Sequence, residues 1–194
     1  MYHMFHGCTA FNQPLGNWNV SSVTDIYHMF HDCKAFNQPL DSWNVSCAID
    51  MSFMFYGLSN LTELDLTSFV TPLVSDMSYM LSNLTSVTSL SIPNFNTVSV
   101  GTMQNMFNGT TSLASLNLDH FNTSGVTNMA DMFSATGSLV SLSAVGWDIS
   151  NVANSNNIFA FGSGALSISC NNQDAVNDGT GDSGVGSLFG EPCI

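Results

Sequence analysis

The chain has 194 residues, 44% of them hydrophobic, and sets one basic residue, Lys34, against fourteen Asp and Glu for a formal net charge of −13. Such a surface repels nucleic acid phosphates and anionic lipid, which excludes both as partners. No apolar run reaches the ~18 residues of a membrane span, so this segment is not expected to insert into a membrane, and no stretch has signal-peptide form.

The first unit, MYHMFHGCTAFNQPLGNWNVSSVTD, and the second, IYHMFHDCKAFNQPLDSWNVSCAID, agree at 17 of 25 positions. The repeat is in full stride at Met1, which reads as either a cut edge or an edge that docks another molecule. Further units begin at Met51, Met77, Met103 and Met129, and a degraded one at Ser155. The resulting repeats are 1–25, 26–50, 51–76, 77–102, 103–128, 129–154 and a partial 155–170, forming one domain over 1–170. Residues 171–194, rich in Gly and Asp, read as a C-terminal cap. Self-similarity at this period marks a stacked-repeat architecture.

Within each unit the columns are strict. All eleven Met fall in two of them: Met1, Met51, Met77, Met103 and Met129, then Met4, Met29, Met54, Met80, Met106 and Met132. A third holds Phe5, Phe30, Phe55, Leu81, Phe107, Phe133 and Phe159, and a fourth holds Trp18, Trp43, Phe69, Phe95, Phe121 and Trp147. Asp25, Asp50, Asp76, Thr102, Asn128 and Asn154 each precede an M-x-x-M-F-type block. These are N-capping side chains, and the apolar positions that follow at i, i+3 and i+4 share one face, so the block predicts a short helix or helical turn.

From the third unit on, a second pattern appears: Leu61-x-x-Leu64-x-Leu66, Val87-x-x-Leu90-x-Ile92, Leu113-x-x-Leu116-x-Leu118 and Leu139-x-x-Leu142-x-Ala144. It predicts a short strand with alternate residues buried. Stacked in register, such strands form a parallel sheet along one side of a coil. The fold class expected is an α/β solenoid: a leucine-rich-repeat-like, right-handed coil of six to seven turns, with parallel sheet on one side and short helices or turns on the other.

The M-x-x-M-F, F-N-Q-P-L-x-x-W-N-V-S and L-x-x-L-x-L blocks together resemble the bacterial surface protein (BspA-like) leucine-rich repeats, over about residues 1–170. The resemblance implies an extracellular or cell-surface, non-enzymatic protein used in adhesion or protein contact. It names no ligand and carries no catalytic residue.

Cys8 and Cys33 share a column in adjacent turns. Stacked strands lie roughly 4.8 Å apart, within the Cα separation a disulfide accepts, so a Cys8–Cys33 bridge is expected. Cys170 and Cys193 flank the polar tail and are expected to close it. Cys47 is left over: free, a substitute partner, or bonded to another chain.

His3 and His6, with His28 and His31 one unit on, make H-x-x-H twice. Four imidazoles suit zinc or copper. Near-exact duplication of an outer face explains them equally well, and no carboxylate or thiolate shares their columns, so no metal and no cofactor is expected. Asp174, Asp178 and Asp182 in the tail do not match a calcium loop.

N-x-S/T sequons at Asn19, Asn44, Asn60, Asn83, Asn108 and Asn122 are candidate glycosylation sites, in a number the Asn, Ser and Thr content alone would produce. No nucleophile elbow, phosphate loop or H-E-x-x-H motif is present, so no catalytic residue is expected.

The residues named on the strand's solvent face, such as Glu63, Asp65, Ser89, Ser115 and Ser141, are small or polar, without an aromatic anchor for a partner. Met1, Met4 and Phe5, by contrast, are core-column residues at an end with no polar cover. The expected role is therefore a structural subunit that self-assembles head-to-tail into a fibre. The alternative is a surface adhesion module recognising another surface or matrix protein.

Overall fold

The computed structural model describes residues 1–160, 166–170, 187–188 and 191–192. Among them the regular structure is all strand: β1 (Glu63–Asp65), β2 (Ser89–Ser91), β3 (Ser115–Asn117), β4 (Ser141–Ala144), β5 (Ser167–Cys170), β6 (Ser187–Leu188) and β7 (Glu191–Pro192). β1 pairs with β2, β3 with β4, and β4 with β5, all parallel and in register at the repeat spacing, so that Leu64 pairs with Leu90, Leu116 with Leu142, and Leu142 with Ile168. β6 and β7 form a separate antiparallel pair. The predicted strands thus lie where L-x-x-L-x-L placed them. The result is a sheet-rich repeat fold, with no closed barrel among the described residues.

Of the short helices or turns expected here, turns form: the M-x-x-M-F blocks hold no helix among the described residues. Two columns of left-handed backbone explain this. His3, His28, Phe53, Tyr79, Asn105, Asp131 and Asn157 have φ of 54–57°, and four residues later so do Gly7, Asp32, Gly57, Asn83, Gly109 and Ala135, with φ of 55–72°. A positive φ twice in five residues breaks any helix. Most of these residues are the third of a hydrogen-bonded turn, as in His28 within Ile26–Met29 and Asp32 within Phe30–Cys33, which is the type II pattern. Gly, Asn, Asp and His fill most of these positions because they tolerate that backbone best.

The turns expose alternate N–H groups to the next repeat. His3, Phe5 and Gly7 donate to the carbonyls of Tyr27, Met29 and His31 at 3.1, 3.0 and 2.8 Å. The same triplet recurs down the stack, ending with Asp131, Phe133 and Ala135 on Asn156, Ile158 and Ala160. The residues read as helix caps do cap, but as Asx-type turns: Asp50 and Asp76 accept the N–H of Ser52 and Ser78 at 2.8 and 2.7 Å. Their backbones form a parallel ladder, Asp25 to Asp50 to Asp76 to Thr102 to Asn128 to Asn154.

The core runs along the stack. Both Met columns are fully buried apart from Met1 and Met4, and Phe30, Phe55, Phe107 and Phe133 lie inside with them. Phe5, Phe30 and Phe55 stack at 5.7 and 5.9 Å between ring centroids, and Phe107, Phe133 and Phe159 at 5.6 and 5.5 Å. Buried Thr71, Thr97 and Thr123 form an inner polar ladder, each donating its hydroxyl to the carbonyl of the residue 25 positions on. That satisfies backbone groups which would otherwise be stranded in the core.

Candidate functional site

Three places on this scaffold depart from the regular pattern. The first is the face formed by the first repeat. Met4 is 47% exposed, whereas Met29, Met54, Met80, Met106 and Met132 of its column are 0% exposed. Trp18 is 38% exposed against 1% for Trp43. Met1 and Phe5 are partly buried against the core, and Tyr2 stands outside, stacked on Tyr27 at 5.5 Å. Side chains that serve as core one repeat later are more exposed in this repeat.

The second place is the groove where the two kinds of unit meet. The second repeat carries F-N-Q-P-L where the third carries a strand, and among the described residues β1 has a strand neighbour on only one side. A cavity of about 380 Å³ opens there, lined by Phe36, Pro39, Leu40, Leu58 and Leu64 with Glu63 and Asp65 at its rim. A second opening of about 350 Å³ lies between β2 and β3, which are not hydrogen-bonded to each other.

The third place is the histidine cluster on the turns of the first two repeats. The register that puts the turns one over the other stacks the His3 and His28 rings, with centroids 4.6 Å apart and planes 21° from parallel. His6 meets His3 and His28 edge-on at 5.1 and 5.7 Å. One nitrogen from each of the three lies within 4.8 Å of the other two. His31 adjoins, 4.5 Å from His6 and 4.9 Å from His28 between centroids. Nδ1 of His28 is buried without a hydrogen-bond partner. Nδ1 of His31 lies 3.3 Å from an Asp32 carboxylate oxygen, close enough for attraction but not aligned for a hydrogen bond.

Burial, and then the neighbouring His31, His3 and His6, push His28 down to about 4 against the opposing pull of Asp50; burial also lowers His31, with Asp32 opposing. His28 is accordingly neutral at pH 7. Carboxylates do stand beside this cluster, and, contrary to the expectation from sequence, the column of His3 and His28 holds one further along the stack, Asp131. Asp32 is reachable from sequence as the neighbour of His31, whereas Asp50 comes close only through the stacking.

The expected Cys8–Cys33 bridge is absent: both are free thiols, as is Cys47. Cys33 points inward and donates its Sγ–H to the Phe5 carbonyl at 2.8 Å, while Cys8 is exposed. Burial raises the Cys33 thiol to about 11. Cys170 is disulfide-bonded, and Cys193, its expected partner, lies outside the described residues, as do the cap at 171–194 in its larger part and the acidic groups Asp174, Asp178 and Asp182.

Of the sequons, Asn19, Asn44, Asn60 and Asn122 are exposed, and Asn83 and Asn108 are half-buried. Asn19 and Asn122 turn their side-chain oxygens back onto Ser21 and Ser124, within their own sequons. No helix among the described residues is long and apolar enough to cross a membrane.

Two overlapping stretches of the chain, residues 1–89 and 49–171, match the family model described as Mycoplasma protein of unknown function, DUF285. No curated protein matches the chain.

Proposed function

The chain belongs to the DUF285 family, and we propose that it is a BspA-like leucine-rich-repeat solenoid, non-enzymatic and displayed outside the cell, that serves as a structural subunit by stacking end on end with further copies. The observation that carries this reading is the contrast between Met4 and Trp18, open to solvent, and their fully covered column-mates Met29 and Trp43. A repeat that buries its face only against a neighbour gains that burial from another repeat, and the chemistry of the face is that of the repeat interior. The contact is heterologous, so repetition gives an open filament rather than a closed ring. An extracellular setting is supported by the disulfide at Cys170, since such bonds persist mainly in oxidising compartments.

The test is sedimentation velocity across a range of concentrations with electron microscopy of the same samples. Concentration-dependent, filamentous species that disperse in Met4→Glu support the proposal. Monomers throughout overturn it, as does a longer gene product whose own residues cover Met4.

The groove beside β1 supports a second reading, an adhesion module. An extended segment of a surface or matrix protein laid along Phe36, Leu40 and Leu64 would add itself to the open side of β1, with backbone bonds giving affinity and the groove accepting alternate side chains. Leu64→Lys abolishes binding of such a partner and leaves end-on assembly untouched.

A further inference from the structure

We propose that His3, His6 and His28 form a binding site for a divalent transition metal ion of the zinc class, with His31 beside it as a fourth imidazole. The three ligand nitrogens already lie within 4.8 Å of one another. Tetrahedral zinc with Zn–N bonds of about 2.0–2.1 Å sets its ligand nitrogens about 3.3–3.4 Å apart, so closure takes a movement of about 1.4 Å or less. His3 and His6 are exposed and free to make it, while His28 is half-buried and held in place between His3 and Phe53, 4.4 Å from the latter. One ligand is therefore rigid and two are adjustable.

Three further observations converge. Nδ1 of His28 is buried and lacks a partner, which a structural histidine in a plain aromatic stack does not explain. His6 meets both His3 and His28 edge-on, at 5.1 and 5.7 Å between centroids, so the three rings crowd one patch of the surface. The acids Asp32 and Asp50 stand beside the cluster, in a chain whose net charge of −13 favours any approaching cation. An all-imidazole set selects zinc, copper or nickel over calcium or magnesium, which need oxygen ligands.

The experiment is calorimetric titration of the full chain with zinc chloride alone, after alkylation of the accessible thiols so that they do not compete. One zinc per chain is expected. The double variant His3→Asn/His6→Ala, which places at position 3 a residue that tolerates positive φ, should bind at least ten-fold more weakly with an unchanged circular dichroism spectrum. His28→Asn provides an independent loss of the rigid ligand, and His120→Asn, on a distant repeat, should bind as the parent does. No zinc uptake by the parent chain, or equal uptake by both cluster variants, overturns the proposal.

Discussion

Gly57 packs directly against Asp32 of the preceding repeat, so that a Cβ on Gly57 would run into the Asp32 carboxylate oxygen. Gly109 stands in the same relation to Asn83, whereas Gly7, with a φ of +70° like theirs, has nothing within 4 Å of where a Cβ would be. Gly57→Ala therefore incurs both the left-handed backbone penalty, about 1–2 kcal/mol, and a collision that moves Asp32. Gly7→Ala incurs the backbone penalty alone. Urea denaturation should show Gly57→Ala less stable than Gly7→Ala by 1 kcal/mol or more; equal midpoints would mean that Asp32 moves aside at no cost.

A second prediction concerns the inner threonine ladder. Buried Thr123 donates its hydroxyl to the Asp148 carbonyl and accepts the Asp148 N–H, both at 2.8 Å. Thr123→Val keeps the shape and strands both backbone groups, which costs about 2–3 kcal/mol. Exposed Thr127, which donates to the Gly101 carbonyl at 3.2 Å, is the control, and its valine variant should lie within ~0.5 kcal/mol of the parent. A Thr123 variant as stable as that control would deny the ladder its role.

The aromatic column yields a compensation test. Indole Nε1 of Trp43 donates to the Leu15 carbonyl, and that of Trp147 to Leu118, both at 3.0 Å. Phe69 and Phe121 have no such donor; there the residue before the ring supplies it, Ser68 to the Leu40 carbonyl at 3.3 Å and His120 to Ile92 at 2.9 Å. Trp43→Phe should cost about 2 kcal/mol. Adding Ser42→His imports the His120–Phe121 arrangement and should restore about half of that loss. If the second substitution only destabilises further, the two donors are not equivalent.

Thiol chemistry supplies a pH dependence. Cys33 keeps its proton up to about 11, while an unfolded chain releases it near 9.0. The unfolded state thus binds fewer protons above pH 9, and the contribution of Cys33 to stability falls as pH rises from 9 towards 11. Below pH 9 the contribution is whole. At pH 8, iodoacetamide followed by peptide mass mapping should find exposed Cys8 modified and Cys33 bare, because the thiolate is the reacting form. Equal labelling would show that the second repeat opens readily.

Much of this was readable in the residues. The Met, Phe and Trp columns are the core, and L-x-x-L-x-L is the strand, because burial and alternation are written directly in side-chain type. Of the short helix or turn expected at each M-x-x-M-F block, only turns form, for a reason also present in the chain. Asp50 and Asp76 cap N–H groups as they would at a helix start, and Met51, Met54 and Phe55 do share an inward face. What decided the backbone was the identity of the residues two and six places after Met1 and its equivalents: His3 and Gly7, His28 and Asp32, Asn105 and Gly109. Those are residues of positive φ, and reading them as a column would have replaced the helix by two linked turns. The histidines were visible as two pairs, but the meeting of His6 with His28 depends on how one repeat lies over the next, which no spacing within a repeat encodes. Phe53 and Tyr79 occupy the same strained column without side chains suited to it, held there by stacking at 4.3 Å.

The ladder from His3, Phe5 and Gly7 to the following repeat has a mechanical meaning. Its bonds join neighbouring units and run along the stack, so a pull on the two ends of the chain peels one unit at a time from an edge instead of rupturing the whole at once. Each unit of 25 or 26 residues releases roughly 85–90 Å of slack at about 3.4 Å per residue. A molecule held at a surface and tugged from its far end would lengthen in equal instalments and recoil when released, behaving as a spring with a fixed step.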